Sequence, residues 1–163
     1  MGNSKAVFDT SKGKFTIELF EDKAPLTTDN FIKLAKKGFY NGVVFHRVIP
    51  EFMVQCGCPY GTGTGGPGYT IRDEFIKGLS NVRGTMAMAN TGRPNTGGSQ
   101  FFINLVDNTF LDFDKEPVSS RHPVFGKVTE GMNVVDEIAA VKRDGQDKPF
   151  VDVVINTVTI VGP

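Results

Sequence analysis

Residues 57 to 70 read Gly-Cys-Pro-Tyr-Gly-Thr-Gly-Thr-Gly-Gly-Pro-Gly-Tyr-Thr, and neither helix nor strand can run through them. Glycine loses the most conformational freedom on ordering, and proline removes a backbone donor. The same punctuation recurs at Asn90-Thr91-Gly92-Arg93-Pro94-Asn95-Thr96-Gly97-Gly98-Ser99, and the whole chain holds 19 glycines and 9 prolines. Such a chain is cut into short pieces. Its apolar bulk comes from 14 phenylalanines with no tryptophan, so the spacing predicts compact β structure, short strands bearing phenylalanine between glycine-rich turns.

The strands can be placed by alternation. Ala6 to Thr10 and Lys14 to Phe20 flank Ser11-Lys12-Gly13 as a hairpin, with Phe15, Ile17 and Leu19 on one face and Lys14, Thr16 and Glu18 on the other. Residues 85–89, 100–105, 123–128 and 151–161 are further strands, and residues 107–122 are irregular. Pro25 to Lys37 is a helix with proline in its first turn, an apolar stripe of Phe31, Leu34 and Ala35, and Gly38 just past its end. Gly131 to Lys142 is a second, with Val134, Val135, Ile138 and Ala139 on one side. About eight strands and two helices imply a closed or nearly closed antiparallel barrel with helices over its ends. At 163 residues without repeat or linker, residues 1–163 are expected to form one domain.

Several function classes lack the residues they need. Net charge is zero and the lysines are spread out, so no basic face invites nucleic acid. No apolar run approaches the roughly 20 residues that span a bilayer, so no membrane association is expected. The first residues, Met-Gly-Asn-Ser-Lys-Ala, carry no signal-peptide core, so the expected location is cytoplasmic. Cys56 and Cys58 are too close for a disulfide framework, and their spacing is shorter than that of structural zinc pairs, so no metal or cofactor is expected. Cys56 shares parity with Val54, as a small core filler does. Gly61, Gly63 and Gly66 satisfy G-x-G-x-x-G, but Pro67-Gly68 follows where a nucleotide-binding helix would begin. Ser99 lacks the G-x-S-x-G elbow of a serine hydrolase, and the carboxylates fall mainly in loops and solvent-facing positions.

One stretch stays unexplained by core packing: Phe45-His46-Arg47-Val48-Ile49-Pro50-Glu51-Phe52-Met53-Val54-Gln55. Read as two extended runs hinged at Pro50-Glu51, it places Arg47, Ile49, Met53 and Gln55 at alternating offsets, so polar and apolar groups can converge on one sheet face. A lone arginine among Phe and Met suits an uncharged, mostly apolar ligand. On composition alone Phe52, Met53 and Phe102 are ordinary core, Arg47 a surface ion-pair partner and His46 a hydrogen-bonded structural residue.

Phe45 to Gly57 also resembles the cyclophilin pattern F-H-R-[VI]-I-x-x-F-M-[VI]-Q-x-G without a gap. Gly63–Gly66, Met86–Asn90, Asn95–Ile103 and Val124–Val128 follow in that family's order, so the likeness covers nearly the whole chain. The resemblance implies a mainly β fold, a closed eight-stranded antiparallel barrel capped by two α-helices, and peptidyl-prolyl cis-trans isomerase activity. It implies Arg47 as the catalytic residue, and Phe52, Met53, Phe102 and Leu111 as the pocket for the proline ring. Gln55 and Asn90 correspond to groups that bind the substrate backbone, and Ala89, Thr91 and Gln100 to the neighbouring groove. His46, Ile49, Gly63, Phe110 and His122 match further positions around the ligand. The implied partners are Pro-containing peptides and unfolded or partly folded proteins; a monomer is the default expectation. A cyclophilin-fold module that binds Pro-containing segments without turnover is the alternative. Phe110 stands where many eukaryotic members have tryptophan; losing the indole donor implies weakened cyclosporin binding.

These residue types suit the chemistry. Rotation about X-Pro breaks amide resonance, a barrier of about 18–20 kcal/mol, and uncatalysed exchange takes roughly 10–100 s. An enzyme turning over at about 10³ s⁻¹ must remove about 6 kcal/mol. Neither nucleophile nor proton transfer is needed.

Overall fold

A computed structural model describes residues 2–163. Among them the order is β1 (Lys5–Thr10), β2 (Gly13–Leu19), α1 (Pro25–Lys36), β3 (Arg47–Ile49), β4 (Met53–Cys56), β5 (Thr85–Met88), β6 (Phe101–Asn104), β7 (Val124–Glu130), α2 (Met132–Ala139) and β8 (Ile155–Val161). Two single 3-10 turns, Thr109–Leu111 and Val118–Ser120, interrupt the irregular segment before β7. No helix among the described residues is long and apolar enough to cross a membrane.

The eight strands form one curled antiparallel sheet ordered β3-β4-β6-β5-β7-β2-β1-β8. The β1–β2 hairpin pairs Phe8 with Phe15 and Thr10 with Gly13, and Phe15, Ile17 and Leu19 are buried as the alternation requires. The sheet does not close into the expected barrel, because β3 and β8 end the ladder without pairing to each other. The gap is spanned by the Val44–Val154 bridge and by backbone bonds from Phe45 N–H to the Val153 carbonyl and from Ile155 N–H to the Val43 carbonyl. The reason is local. β3 is three residues long, and the chain reaches it through the Asn41-Gly42 turn. On the facing side, Asp147 has a positive φ and Pro149 has no N–H to donate.

Inside the curl, phenylalanine does the packing that tryptophan often does. Phe8 stacks on Phe15 at 4.7 Å; Phe31 from α1 stacks on Tyr40 and meets Phe101 edge-on at 5.6 Å. Offset-stacked and edge-to-face pairs add about 0.5–1.5 kcal/mol each beyond their buried area. Cys56 lies in this core beside Val54, as its parity suggests.

Strands β4, β5 and β6 are covered on both faces. Val48, Val54, Met86, Met88, Phe101 and Ile103 point into the main core. Met53, Ala87 and Phe102 point outward into a second apolar cluster with Leu111 and Val124. Two-sided burial explains why Thr85-Met86-Ala87-Met88 and Phe101-Phe102-Ile103 read as continuous apolar runs.

Helix α1 begins with Pro25 and has no side-chain cap of its own. Its first free N–H groups are met from afar, since the Glu74 carboxylate accepts from the backbone of Leu26 and Thr27 and from the Thr27 hydroxyl. Helix α2 stops at Ala139, short of the expected Lys142. Its last turn tightens to i→i−3 bonds, Ala140 N–H to Glu137 and Val141 N–H to Ile138, which ends the α spiral.

Candidate functional site

Backbone register assembles the site. Arg47 on β3 lies opposite Gln55 on β4, Gln55 opposite Phe102 on β6, and Phe102 opposite Ala87 on β5. The next row pairs Ile49 with Met53 and Met53 with Asn104. Directly opposed residues share a face about 5 Å apart, so both rows stand side by side on the outer surface of the curled sheet. The alternating offsets of Arg47, Ile49, Met53 and Gln55 place them there, with Glu51 (φ 63°) closing the turn between the runs.

Above these rows lies a cavity of about 340 Å³. Its floor is Met53 (2% exposed), Phe102 (4%) and Leu111 (6%). They are both core and pocket lining: one side packs in the second cluster while the other faces the cavity. Half-buried Phe52 forms a wall and stacks on Phe110, which is 56% exposed at 6.1 Å centroid separation. Arg47 and Gln55 stand on one rim, and Ala89, Asn90 and Thr91 on the other. A second groove of about 310 Å³ continues past Gln55 and Asn90 along Gly63 and Gln100.

Hydrogen bonds hold the polar rim. Gln100 donates to the carbonyls of Gly63 and Gly65, both at 2.9 Å, and Gln55 donates to the Gln100 side-chain oxygen at 3.0 Å. That leaves the Gln55 side-chain oxygen without a donor among the described residues. The Asn90 side chain is committed, donating to the Arg121 carbonyl and accepting from Gly92 N–H. The groups that Asn90 leaves free at the rim are therefore those of its main chain. No carboxylate pairs with Arg47 among the described residues. It is exposed at the lip of an apolar pocket, unlike a surface ion-pair partner.

His122 closes the far wall with its ring edge-on to Phe102, 5.1 Å between centroids. Its Nδ1 lies 2.9 Å from the Met88 carbonyl. Burial lowers its pKa, and the bond to Met88 and the charge of Asp73 oppose that only in part. His46 is 8% exposed and its Nδ1 has no partner among the described residues. Its pKa is also lowered, first by burial and then by Lys148 and Arg47. It stands apart from the apolar cavity, against the Gly61–Gly63 loop.

Sequence reasoning missed part of the machinery. Gly92 and Ser119 line the cavity, and Asn81, Asn104, Asn108 and Asp112 form a buried polar web behind it. Asn81 donates to the carbonyls of Leu111 and His122 and to Asp112, while Asn108 donates to the Phe52 carbonyl. The one visible signal was Asn104, a polar residue at the parity of Phe102 in an apolar strand.

A family model described as cyclophilin type peptidyl-prolyl cis-trans isomerase/CLD matches residues 5–160. The chain is 46% identical over 159 residues to a peptidyl-prolyl cis-trans isomerase-like 1 of Aspergillus fumigatus, covering 95% of this chain and 94% of that one. It is 50% identical over 136 residues to a peptidyl-prolyl cis-trans isomerase of Helicobacter pylori, covering 82% and 78%. Among solved structures, a cyclophilin type peptidyl-prolyl cis-trans isomerase of Cryptosporidium parvum superposes with a TM-score of 0.90 at 30% identity over 99% of each chain. The same parasite protein in the presence of the dipeptide Ala-Pro superposes with a TM-score of 0.89 at 30% identity, over 98% of this chain and 99% of that one.

Proposed function

The chain belongs to the cyclophilin-type peptidyl-prolyl cis-trans isomerases and accelerates rotation about X-Pro bonds, and we propose that Arg47 drives that rotation over an apolar proline pocket. The carrying observation is a guanidinium without a carboxylate partner among the described residues, set by β-register beside Gln55 and Phe102. The proline ring sits on Met53, Phe102 and Leu111 against Phe52. Seating it there strips water from the amide. The planar amide is the more polar state and loses more by this than the twisted one. At the twist the proline nitrogen regains its lone pair, and an Arg47 guanidinium N–H stabilises it by donating to it. Gln55, fastened by Gln100, and the Asn90 main chain hold the flanking backbone so that rotation is confined to one bond. Pro-containing peptides and unfolded or partly folded proteins are the substrates.

The experiment is exchange NMR or a protease-coupled assay on an X-Pro peptide. Arg47→Ala is expected to lower kcat/KM about 10²-fold, as loss of a transition-state donor does, with a smaller change in peptide affinity. Equal rates for variant and wild type would overturn the mechanism. Wild type that binds peptide without accelerating exchange would favour the non-catalytic binding module, a reading that gives the unpaired Arg47 no task. Cyclosporin should bind more weakly than to relatives with tryptophan in place of Phe110, because Phe110 keeps a stacking surface but has no N–H donor. Nanomolar affinity in a calorimetric titration would exclude this.

A further inference from the structure

A third groove, of about 400 Å³, shares Arg47 and Gln55 with the proline pocket but none of its apolar floor, and runs on to His46, Gly63, Gln146 and Lys148. We propose that this groove is a subsite for a carboxylate side chain, Asp or Glu, of a substrate residue flanking the proline, held by Lys148 with Arg47 and the His46 ring. The inference rests on the isomerase reading and concerns which sequences the enzyme prefers.

Charge comes first. Neither Lys148 nor Arg47 has an ion-pair partner among the described residues. The carboxylates next to Lys148 in the chain are already engaged. Asp147 pairs with Arg143 at 3.2 Å, and Asp144 accepts the backbone N–H groups of Gln146 and Lys148 at 2.8 and 3.1 Å. Two free cations therefore border one groove, and both act on His46, where each opposes protonation.

The His46 ring adds a neutral donor. Its Nδ1 is buried without a partner, and an unpaired buried N–H costs more than an unpaired lone pair, so the proton belongs on Nε2. The Nε2–Cδ2 edge faces Gly63, 3.4 Å from where a Cβ there would lie. Gly63 has φ +88°, so a side chain would be strained as well as crowding the groove beside that donor. A carboxylate entering here meets Lys148 Nζ, the Arg47 guanidinium and His46 Nε2–H in a half-enclosed site. Adjacency to Gln55 and Arg47 places it within a residue or two of the proline.

The test is a matched peptide series with Glu, Gln or Lys at each position flanking X-Pro, assayed at low salt. At one position the Glu peptide should exceed the Lys peptide in kcat/KM by about three- to fivefold, shrinking near 0.15 M salt. Lys148→Glu should reverse that order and Gln146→Lys widen it, with circular dichroism confirming that both variants fold. A wild-type ratio of one at every position, or a ratio unmoved by Lys148→Glu, would overturn the subsite. The Gln peptide separates the two readings: its turnover without charge preference defeats the subsite alone, and its failure to turn over defeats the isomerase reading. In that last case, amide shifts of Gly63 and Lys148 during peptide titration still decide the subsite, which is overturned if Glu and Lys peptides perturb them equally.

Discussion

Nδ1 of His122 lies 2.9 Å from the Met88 carbonyl, and a carbonyl can only accept, so that nitrogen carries the proton of a neutral ring. His46 is neutral for a different reason, being buried and facing two cations. Both rings therefore bind protons less readily in the folded chain than at the ordinary value of 6.5. Between the lowered folded values and 6.5 the unfolded chain holds more protons, so folding stability rises with pH in that window. The contribution is complete above about 6.5 and is lost as pH falls below it. The urea midpoint is expected to be level from pH 8 to 7 and to decline towards pH 5, with a shallower decline in His122→Gln. A wild-type midpoint level from pH 7 to 5 would contradict this. Because the proposed mechanism asks no side chain to gain or lose a proton, kcat/KM should show no step between pH 7 and 8. Histidine beside arginine in the sequence suggests acid–base chemistry, but burial leaves these rings as fixed neutral donors or acceptors.

The elements that complete the site are the least regular ones. Residues 107–122 hold two isolated 3-10 turns and no strand, yet they deliver Leu111, Ser119 and His122 to the cavity. Asn81 holds them in place. Fully buried, it donates to three groups on this segment and accepts from Asn104, which also donates to Thr85 on β5. Removing its amide strands several buried partners at about 1–3 kcal/mol each, partly offset by relaxation and water. Asn81→Ala should therefore cost about 3 kcal/mol by urea denaturation and weaken peptide affinity at temperatures where the variant is still folded. An Asn81→Ala protein with wild-type stability and affinity would show that the segment is held otherwise. Glu74 plays the corresponding part for α1, lending a cap from a distant loop to a helix that begins without one.

At the scale of the whole molecule, the site is the outer skin of a sheet whose inner skin is the main core. The period-2 alternation of strands was legible in the chain, so Arg47, Ile49, Met53 and Gln55 could be assigned to one face before any coordinates. The hairpin, both helices and the glycine-rich loops were legible too, because turns, proline positions and helical stripes are encoded within a few residues. The roles around Arg47 were implied by motif likeness, whereas residue patterning alone left Phe52, Met53 and Phe102 as ordinary core. Which face turned outward was not legible. Two-sided burial of β4, β5 and β6 erases the polar alternation that marks a solvent side. Nor was the pairing of β4 with β6, which brings Phe102 beside Gln55 from 47 residues further along the chain. The sheet staying open between β3 and β8, the Glu74 cap and the asparagine web are likewise long-range outcomes. By itself, then, the sequence determined the elements and the residue types that can serve a proline, since those rest on local backbone preference and side-chain chemistry. Only the tertiary structure decided that Arg47 stands without a carboxylate partner among the described residues, beside the apolar floor of Met53, Phe102 and Leu111, because register, curl and burial arise from contacts between residues far apart in the chain.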